Sequence, residues 1–270
     1  FTTLDLMKGY YQVQMTKEDK EKTAFVTEGG LFEYEVMPFG LTRAPNTFQR
    51  LMDFLMQGLK FVMVYLDDIV IYSPDDLTHA THLRQVFQIL REANLKINLD
   101  KCEIGVPKIQ YLGHVITANG VSPDPSLIDK VKNCKQPQTT KDVHSFVGLA
   151  SYYRKFVNNF AKIVKPLTKL LTKDCPFQWT VTQQEAFDIL KDKLCTAPVL
   201  IHPDLSKEFM LQTDASNEAV GAVLSQEATD KKEHSIAYVS RSLTKCEQNY
   251  STTEKECLAV LYACETFRTI

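Results

Sequence analysis

No run of 18 or more apolar residues occurs in the 270-residue chain, so no segment has the length of a membrane-spanning helix. The seven cysteines (Cys102, Cys134, Cys175, Cys195, Cys246, Cys257 and Cys264) form no C-x-x-C pair. An odd, scattered set of this kind argues against zinc or thioredoxin-like chemistry and for reduced thiols in a cytosolic or nuclear compartment. A cationic, apolar leader and an initiating Met are both lacking, and a helix-like stretch is cut at Ile270. The expectation is therefore a fragment of an intracellular protein with no membrane association. Basic charge is not in excess either: 31 Lys and Arg against 33 Asp and Glu leave −2, which excludes a binder of nucleic acid that is basic all over. Internal repeats and low-complexity tracts are missing too. What remains is 44% hydrophobic and 24% charged residues with 11 Tyr and 15 Phe, ample for a core. At about 100–200 residues per domain the length favours one large domain or two ordinary ones.

Two apolar runs, Phe61–Tyr65 and Ile69–Tyr72, flank Leu66-Asp67-Asp68 and read as a tight hairpin. After Pro74-Asp75-Asp76, apolar residues recur at helical spacing through Leu90. Leu95, Ile97 and Leu99 then alternate with polar residues as a strand would. Tyr111–Thr117 reads as one strand that turns at Asn119-Gly120. Residues 124–173 are helical in pattern, and Thr182 with Glu185 spells a capping box before a helix through Leu194. Strands are expected around 209–213, 220–225 and 235–238, with a last helix opening near Thr253. The cleanest boundary falls between about 172 and 182.

Charge is segregated along the chain. Between Asp142 and Asp174 no acidic residue occurs, while Arg154, Lys155, Lys162, Lys165, Lys169 and Lys173 stand among Phe146, Tyr152, Tyr153, Phe156 and Phe160. Two readings stay open: a nucleic-acid surface, with cations for phosphates and rings for stacking, or a helix with a solvated basic face and an aromatic core face. Asp67 and Asp68 are adjacent carboxylates in a turn without Gly, beside buried strands. Such concentrated charge calls for a neutralising cation, and hard oxygen donors on a short loop suit Mg²⁺. His79-x-x-His82 lacks further ligands at usable spacing and reads as a solvated helix face.

The order Leu4-Asp5-Leu6, Met37-Pro38-Phe39-Gly40-Leu41-Thr42, Tyr65-Leu66-Asp67-Asp68 and Tyr111-Leu112-Gly113-His114 resembles the palm of reverse transcriptases. In wording it resembles the Pol polyprotein of gypsy-class long-terminal-repeat retrotransposons. The resemblance continues through Val147-Gly148-Leu149, Tyr152-Tyr153-Arg154-Lys155-Phe156 and Pro166-Leu167-Thr168 to Thr213-Asp214-Ala215-Ser216 and Thr253-Glu254-Lys255-Glu256, essentially the whole chain. It implies an α+β fold: a palm of antiparallel sheet and helices (1–120), a mostly helical thumb or connection (121–176) and a partial ribonuclease H-like α/β domain (177–270). Asp5 and Asp67 would bind metal, with Asp68 the adjacent, less directly coordinating acid, since successive strand residues face opposite ways. Tyr10 would crowd the sugar 2′ carbon. Pro38, Phe39 and Gly40 would shape the nascent base-pair pocket, Gln49 and Tyr65 would line the substrate site, and Leu112-Gly113 would grip the primer terminus.

Asp214 and Glu256 would hold Mg²⁺ for ribonuclease H, although Thr253-x-x-Glu256 is itself a capping box that would consume the same carboxylate. The implied cofactor is Mg²⁺, with Mn²⁺ as the substitute. The implied partners are an RNA template, a DNA primer, RNA:DNA hybrids, dNTPs and other Pol domains. Two positions depart from the family pattern: Arg43 stands where Asn is expected and Asn46 where a small residue is. The fingers and the further ribonuclease H aspartates fall outside the sequence, so weak polymerase activity is expected of this chain alone. A non-catalytic nucleic-acid-binding remnant is the competing reading.

Overall fold

Leu4, and Leu6 just beyond it, alternate with Thr3 and Asp5 along the first strand, β1 (Thr2–Asp5). That period of two buries both leucines and leaves Asp5 half-exposed at the strand end. The structure is a computed structural model that describes all residues except 174, 229 and 269. It divides into two units, Phe1–Ile109 and Gln110–Ile270.

In the first unit a short helix α1 (Lys17–Lys20) leads to a two-stranded ribbon, β2 (Phe25–Thr27) with β3 (Gly30–Phe32). Helix α2 (Ala44–Leu55) follows, then the hairpin of β4 (Val62–Tyr65) and β5 (Asp68–Ile71), and helix α3 (Asp76–Glu92). The sheet runs β1-β5-β4 and is antiparallel throughout. β5 is its centre, and Ile69, Val70 and Ile71 are all buried, as a strand covered on both faces requires. Phe48 and Met52 from α2 and Val86 and Leu90 from α3 complete that core. Asp75 caps α3 by accepting the Thr78 N–H at 2.9 Å. The stretch 95–101 differs from the expected strand: it holds an isolated Leu6–Ile97 bridge and a 3₁₀ turn, Leu99–Lys101.

Tyr111–Thr117 is two strands rather than one. β6 (Lys108–Tyr111) turns at Leu112-Gly113 into β7 (His114–Thr117), which pairs with β8 (Gly120–Pro123) in a sheet of order β6-β7-β8. The second turn is centred on Ala118-Asn119, one residue earlier than the Asn-Gly signal suggested, with Gly120 at φ +138° opening β8. Helices α4 (Pro125–Lys132), α5 (Thr140–Tyr152), α6 (Phe160–Lys169) and α7 (Val181–Cys195) share one core built on Val131, Phe146, Tyr153, Phe156, Leu167 and Leu190. The rings of the basic stretch are therefore mostly core. Arg154 donates to the Ser240 carbonyl, and Lys165 pairs with Glu218 at 2.8 Å. Tyr152 is the exception at 50% exposed.

A second antiparallel sheet, order β11-β10-β9, consists of β9 (Met210–Ala215), β10 (Ala219–Glu227) and β11 (Glu233–Ser242), with helix α8 (Thr252–Phe267) packed on β9 and β10. Capping differs from the sequence reading in two places. The α7 box is Thr180 with Gln183 and the α8 box is Ser251 with Glu254. Among the described residues no helix is long and apolar enough to cross a membrane.

Candidate active site

Asp5 and Asp68 stand directly opposite each other, as the last pair in the β1–β5 register. Residues opposed across an antiparallel ladder project from the same face, so the two carboxylates share one side of the sheet tip. Asp67 precedes β5 in the two-residue turn Leu66-Asp67. Leu66 has φ +55°, a conformation that costs a branched, non-Gly residue about 1–2 kcal/mol. That turn is held from below by Gln49 on α2. Its Oε1 accepts the Leu66 N–H at 2.7 Å, while its Nε2 donates to the Val64 carbonyl at 3.3 Å and to Asp53 Oδ1 at 2.8 Å.

Crowding of negative charge is visible in the ionisation of this cluster. The Asp68 carboxyl is raised above the usual carboxylate range by burial, then by the charges of Asp67 and Asp5, with Lys101 opposing. Lys101 Nζ lies 3.6 Å from Asp5 Oδ2, a weak and largely exposed pairing. Among the described residues no group of three or more His, Cys, Asp or Glu is arranged to hold a metal by itself. An ion here would thus complete its shell with water and substrate phosphates, the ordinary habit of Mg²⁺. The donor set fits: hard carboxylate oxygens, in mutual repulsion that a cation relieves.

Tyr10 sits in a 3₁₀ turn, Gly9–Gln12, with its ring 5.1 Å from Phe39 and 5.3 Å from Phe48. Its hydroxyl is raised by burial and by the nearby Asp67 and Tyr65. Phe39 is 58% exposed on the loop before α2, flanked by Pro38 and by Gly40 at φ +94°, and Tyr65 is exposed at the end of β4. The structure thus gathers Asp5, Tyr10, Phe39, Gln49, Tyr65, Asp67 and Asp68 around one sheet tip. Sequence reasoning missed Lys101 and Gly9. A Cβ on Gly9 would come within 2.8 Å of Phe48 Cζ and 3.4 Å of Asp67 Cβ, so only glycine lets the tip close. Neither residue carries a local spacing signal, because each matters through partners distant in sequence. Arg43 and Asn46 line, with Thr47, Gln49 and Arg50, a depression of ≈ 510 Å³, and neither joins the aspartates.

Leu112 and Gly113 belong to the second unit, as do Asp214 and Glu256. Asp214 is exposed on β9 opposite Gly221, and Glu256 is exposed on α8. The α8 capping box uses Glu254, which leaves the Glu256 carboxylate unspent. His79, expected on a solvated face, is 8% exposed and hydrogen-bonded to Thr2 and Ser73.

Residues 1–116 match the family described as reverse transcriptase (RNA-dependent DNA polymerase), and residues 179–270 match the RNase H-like domain found in reverse transcriptase. Over 99% of its length the chain is 44% identical to the retrovirus-related Pol polyprotein from transposon 297 of Drosophila melanogaster, covering 25% of it. It is 40% identical to the transposon Tf2-3 polyprotein of Schizosaccharomyces pombe, again over 99% of the chain but 20% of that protein. Among solved structures, the foamy viral protease-reverse transcriptase dRH in complex with ds DNA superposes with a TM-score of 0.88 at 27% identity, covering 98% of this chain and 47% of that one. The same viral enzyme in complex with RNA/DNA hybrid gives 0.83 at 27% identity, over 98% of this chain and 36% of that one. Fold and matches together define a reverse transcriptase with an RNase H-like domain. The relatives of the whole chain are Pol polyproteins of gypsy-type retrotransposons, of which it spans about a quarter or less.

Proposed function

We propose that the Asp5, Asp67 and Asp68 cluster is the polymerase centre of a Pol polyprotein, extending a DNA primer from dNTPs on an RNA or DNA template. The observation that carries this reading is the in-register opposition of Asp5 and Asp68 beside Asp67, with the Asp68 carboxyl raised by its neighbours. Asp5 and Asp67 would hold Mg²⁺, or Mn²⁺ in its place, Asp67 standing in the turn outside the strand alternation, with Asp68 adjacent across the register from Asp5. Held by these carboxylates, such a metal would supply Lewis acidity to the primer 3′ hydroxyl and positive charge to the leaving diphosphate. The protein's own part is placement. Gln49 fixes the carboxylate turn, Tyr10 crowds the sugar 2′ position, Pro38, Phe39 and Gly40 back the incoming base, and Leu112-Gly113 meets the primer terminus. The template supplies sequence by base pairing.

Within this reading, residues 1–120 form the palm, 121–176 the connection and 177–270 the RNase H-like domain. Asp214 and Glu256 there would hold Mg²⁺ for cleavage of RNA in RNA:DNA hybrids. The other Pol domains are its covalent partners. The non-catalytic alternative is not favoured, because Asp5, Asp67 and Asp68 of the first domain and Asp214 and Glu256 of the second are all present.

Primer extension on poly(rA)·oligo(dT) with Mg²⁺, using the chain within its parent polyprotein, tests the proposal. Synthesis that disappears in Asp67→Asn is expected. Undiminished synthesis in that variant would refute the assignment.

A further inference from the structure

The Leu112-Gly113 turn joins β6 to β7 with both residues at positive φ, +45° and +68°. Two-residue hairpin turns with that geometry are ordinarily Asn-Gly or Asp-Gly, because the short polar side chain eases the left-handed conformation. Leucine offers no such help, so something else must hold the turn.

Four donors converge on its two carbonyls. The Leu112 oxygen accepts from the Tyr152 hydroxyl at 2.5 Å and from His114 Nδ1 at 2.7 Å. The Gly113 oxygen accepts from the Tyr153 hydroxyl at 2.7 Å and from the Asp124 N–H at 3.1 Å. Each carbonyl has two lone pairs, so both are saturated. The inner face of the turn is also pressed flush. A Cβ on Gly113 would lie 3.1 Å from Leu127 Cδ1 and 3.2 Å from both Tyr152 Cε1 and the Tyr153 hydroxyl. The outer face stays open, with Leu112 39% exposed.

His114 adds an independent sign. Its Nδ1–H donates to Leu112, which makes Nε2 a bare acceptor, and that atom is buried without a hydrogen-bond partner among the described residues. An unsatisfied buried ring nitrogen is a cost that a purely space-filling aromatic would avoid. The imidazole is thus explained by its Nδ1–H. The same logic applies to Tyr153, which is fully buried: Phe would fill its volume, and what the hydroxyl adds is the bond to Gly113, with the Asp124 backbone as its other neighbour.

We propose that Tyr152, Tyr153 and His114 are positioning residues that lock the Leu112-Gly113 turn in the orientation it presents to the primer 3′ end. This rests on the reading above that the turn meets the primer. The test uses the full-length reverse transcriptase containing this chain, with Tyr152→Phe, Tyr153→Phe and the double variant, which delete hydroxyls and keep the rings. Rapid-quench primer extension separates the burst amplitude, which counts correctly folded enzyme, from the rate constant of incorporation. Each single variant should slow the rate constant about five-fold and the double about twenty-fold, the size of one and two lost hydrogen bonds. Amplitude, dNTP affinity and primer–template affinity should be unchanged. A 2-aminopurine at the primer 3′ terminus should report the altered placement by fluorescence before any dNTP is added.

Burst rates like wild type in the double variant would overturn the proposal. So would a loss confined to amplitude or thermal stability, which marks the hydroxyls as structural only. Failure of the wild-type enzyme to extend a primer would refute the polymerase reading, and the proposal with it. A wild type that extends while its 2-aminopurine signal ignores the turn would separate the two.

Discussion

Gln49→Ala isolates the support of the carboxylate turn from the carboxylates themselves. The side chain touches no carboxylate of the cluster, yet it supplies the acceptor for the Leu66 N–H and a donor to the Val64 carbonyl. Removing it leaves a half-buried N–H unpaired at a residue whose φ of +55° is already unfavourable. The unpaired group costs about 1–3 kcal/mol. Relaxation of Leu66 out of the left-handed region returns about 1–2 kcal/mol to any competing turn conformation. A shift of about 2 kcal/mol changes the ratio of correct to relaxed turn roughly 30-fold. Single-turnover primer extension should therefore slow by up to that factor, while the melting temperature moves little because the core beneath is untouched. The decisive companion is Gln49→Ala combined with Leu66→Gly. Glycine adopts positive φ freely, so the double variant should recover most of the rate. Full activity in Gln49→Ala, or no recovery on adding Leu66→Gly, would refute the argument that the turn is strained and held by this amide.

Three further outcomes follow from the geometry. Gly120→Ala would put a Cβ 2.1 Å from the Leu200 carbonyl oxygen and break the Val121–Leu200 bridge, so urea unfolding should show a loss of about 3 kcal/mol or more in the second unit. His79 is held below its ordinary 6.5 by burial first, with the charge of His82 acting in the same direction. The unfolded chain then binds the proton more readily, so stability is full above about pH 6.5 and falls as pH drops through that value toward the folded pKa. Urea midpoints compared at pH 7.5 and 5.5 should narrow in His79→Asn, and an unchanged difference would sink the assignment. Asp214→Asn and Glu256→Gln should abolish RNA cleavage in hybrids and leave primer extension within two-fold, as expected for carboxylates of the second unit with no part in the sheet tip; equal loss of both activities would contradict two centres.

What was legible in the sequence was what broke a local rule. Asp67 and Asp68 stood out because two carboxylates without glycine are poor turn chemistry, and the structure places them where β5 begins. The helical spacing through Leu90 likewise carried over, since burial against one core imposes that period. The Leu112-Gly113 turn was legible only through the family resemblance, and in its local chemistry it stayed hidden for the opposite reason. Its residues do not ask for a turn, and the donors that impose one lie 40 positions away in sequence. Gly9 and Lys101 likewise act through partners distant in sequence, Phe48 and Asp5. The basic stretch misled in part, because aromatic residues interleaved with cations serve a core as readily as a stacking surface, and here Phe146, Tyr153, Phe156 and Phe160 are buried.

The two displaced capping boxes show how a misplacement bears on function. In Ser251-Thr252-Thr253-Glu254-Lys255-Glu256 two hydroxyl residues each have a glutamate three positions on, so sequence alone offers two helix starts. Starting at Ser251 lets the Glu254 carboxylate accept the Ser251 N–H at 2.7 Å while the Ser251 hydroxyl accepts the Glu254 N–H at 3.4 Å. The helix then opens one residue earlier than expected, at Thr252. Starting at Thr253 would have spent Glu256 on the same reciprocal bonds. Because the earlier start prevails, Glu254 is held below the usual carboxylate range by the Ser251 backbone and side chain, and Glu256 is left exposed with no structural task. The objection to Glu256 as a ligand was that capping already explained it. With that explanation transferred to Glu254, Glu254→Gln should lower helix stability with little effect on hybrid cleavage, and Glu256→Gln should do the reverse.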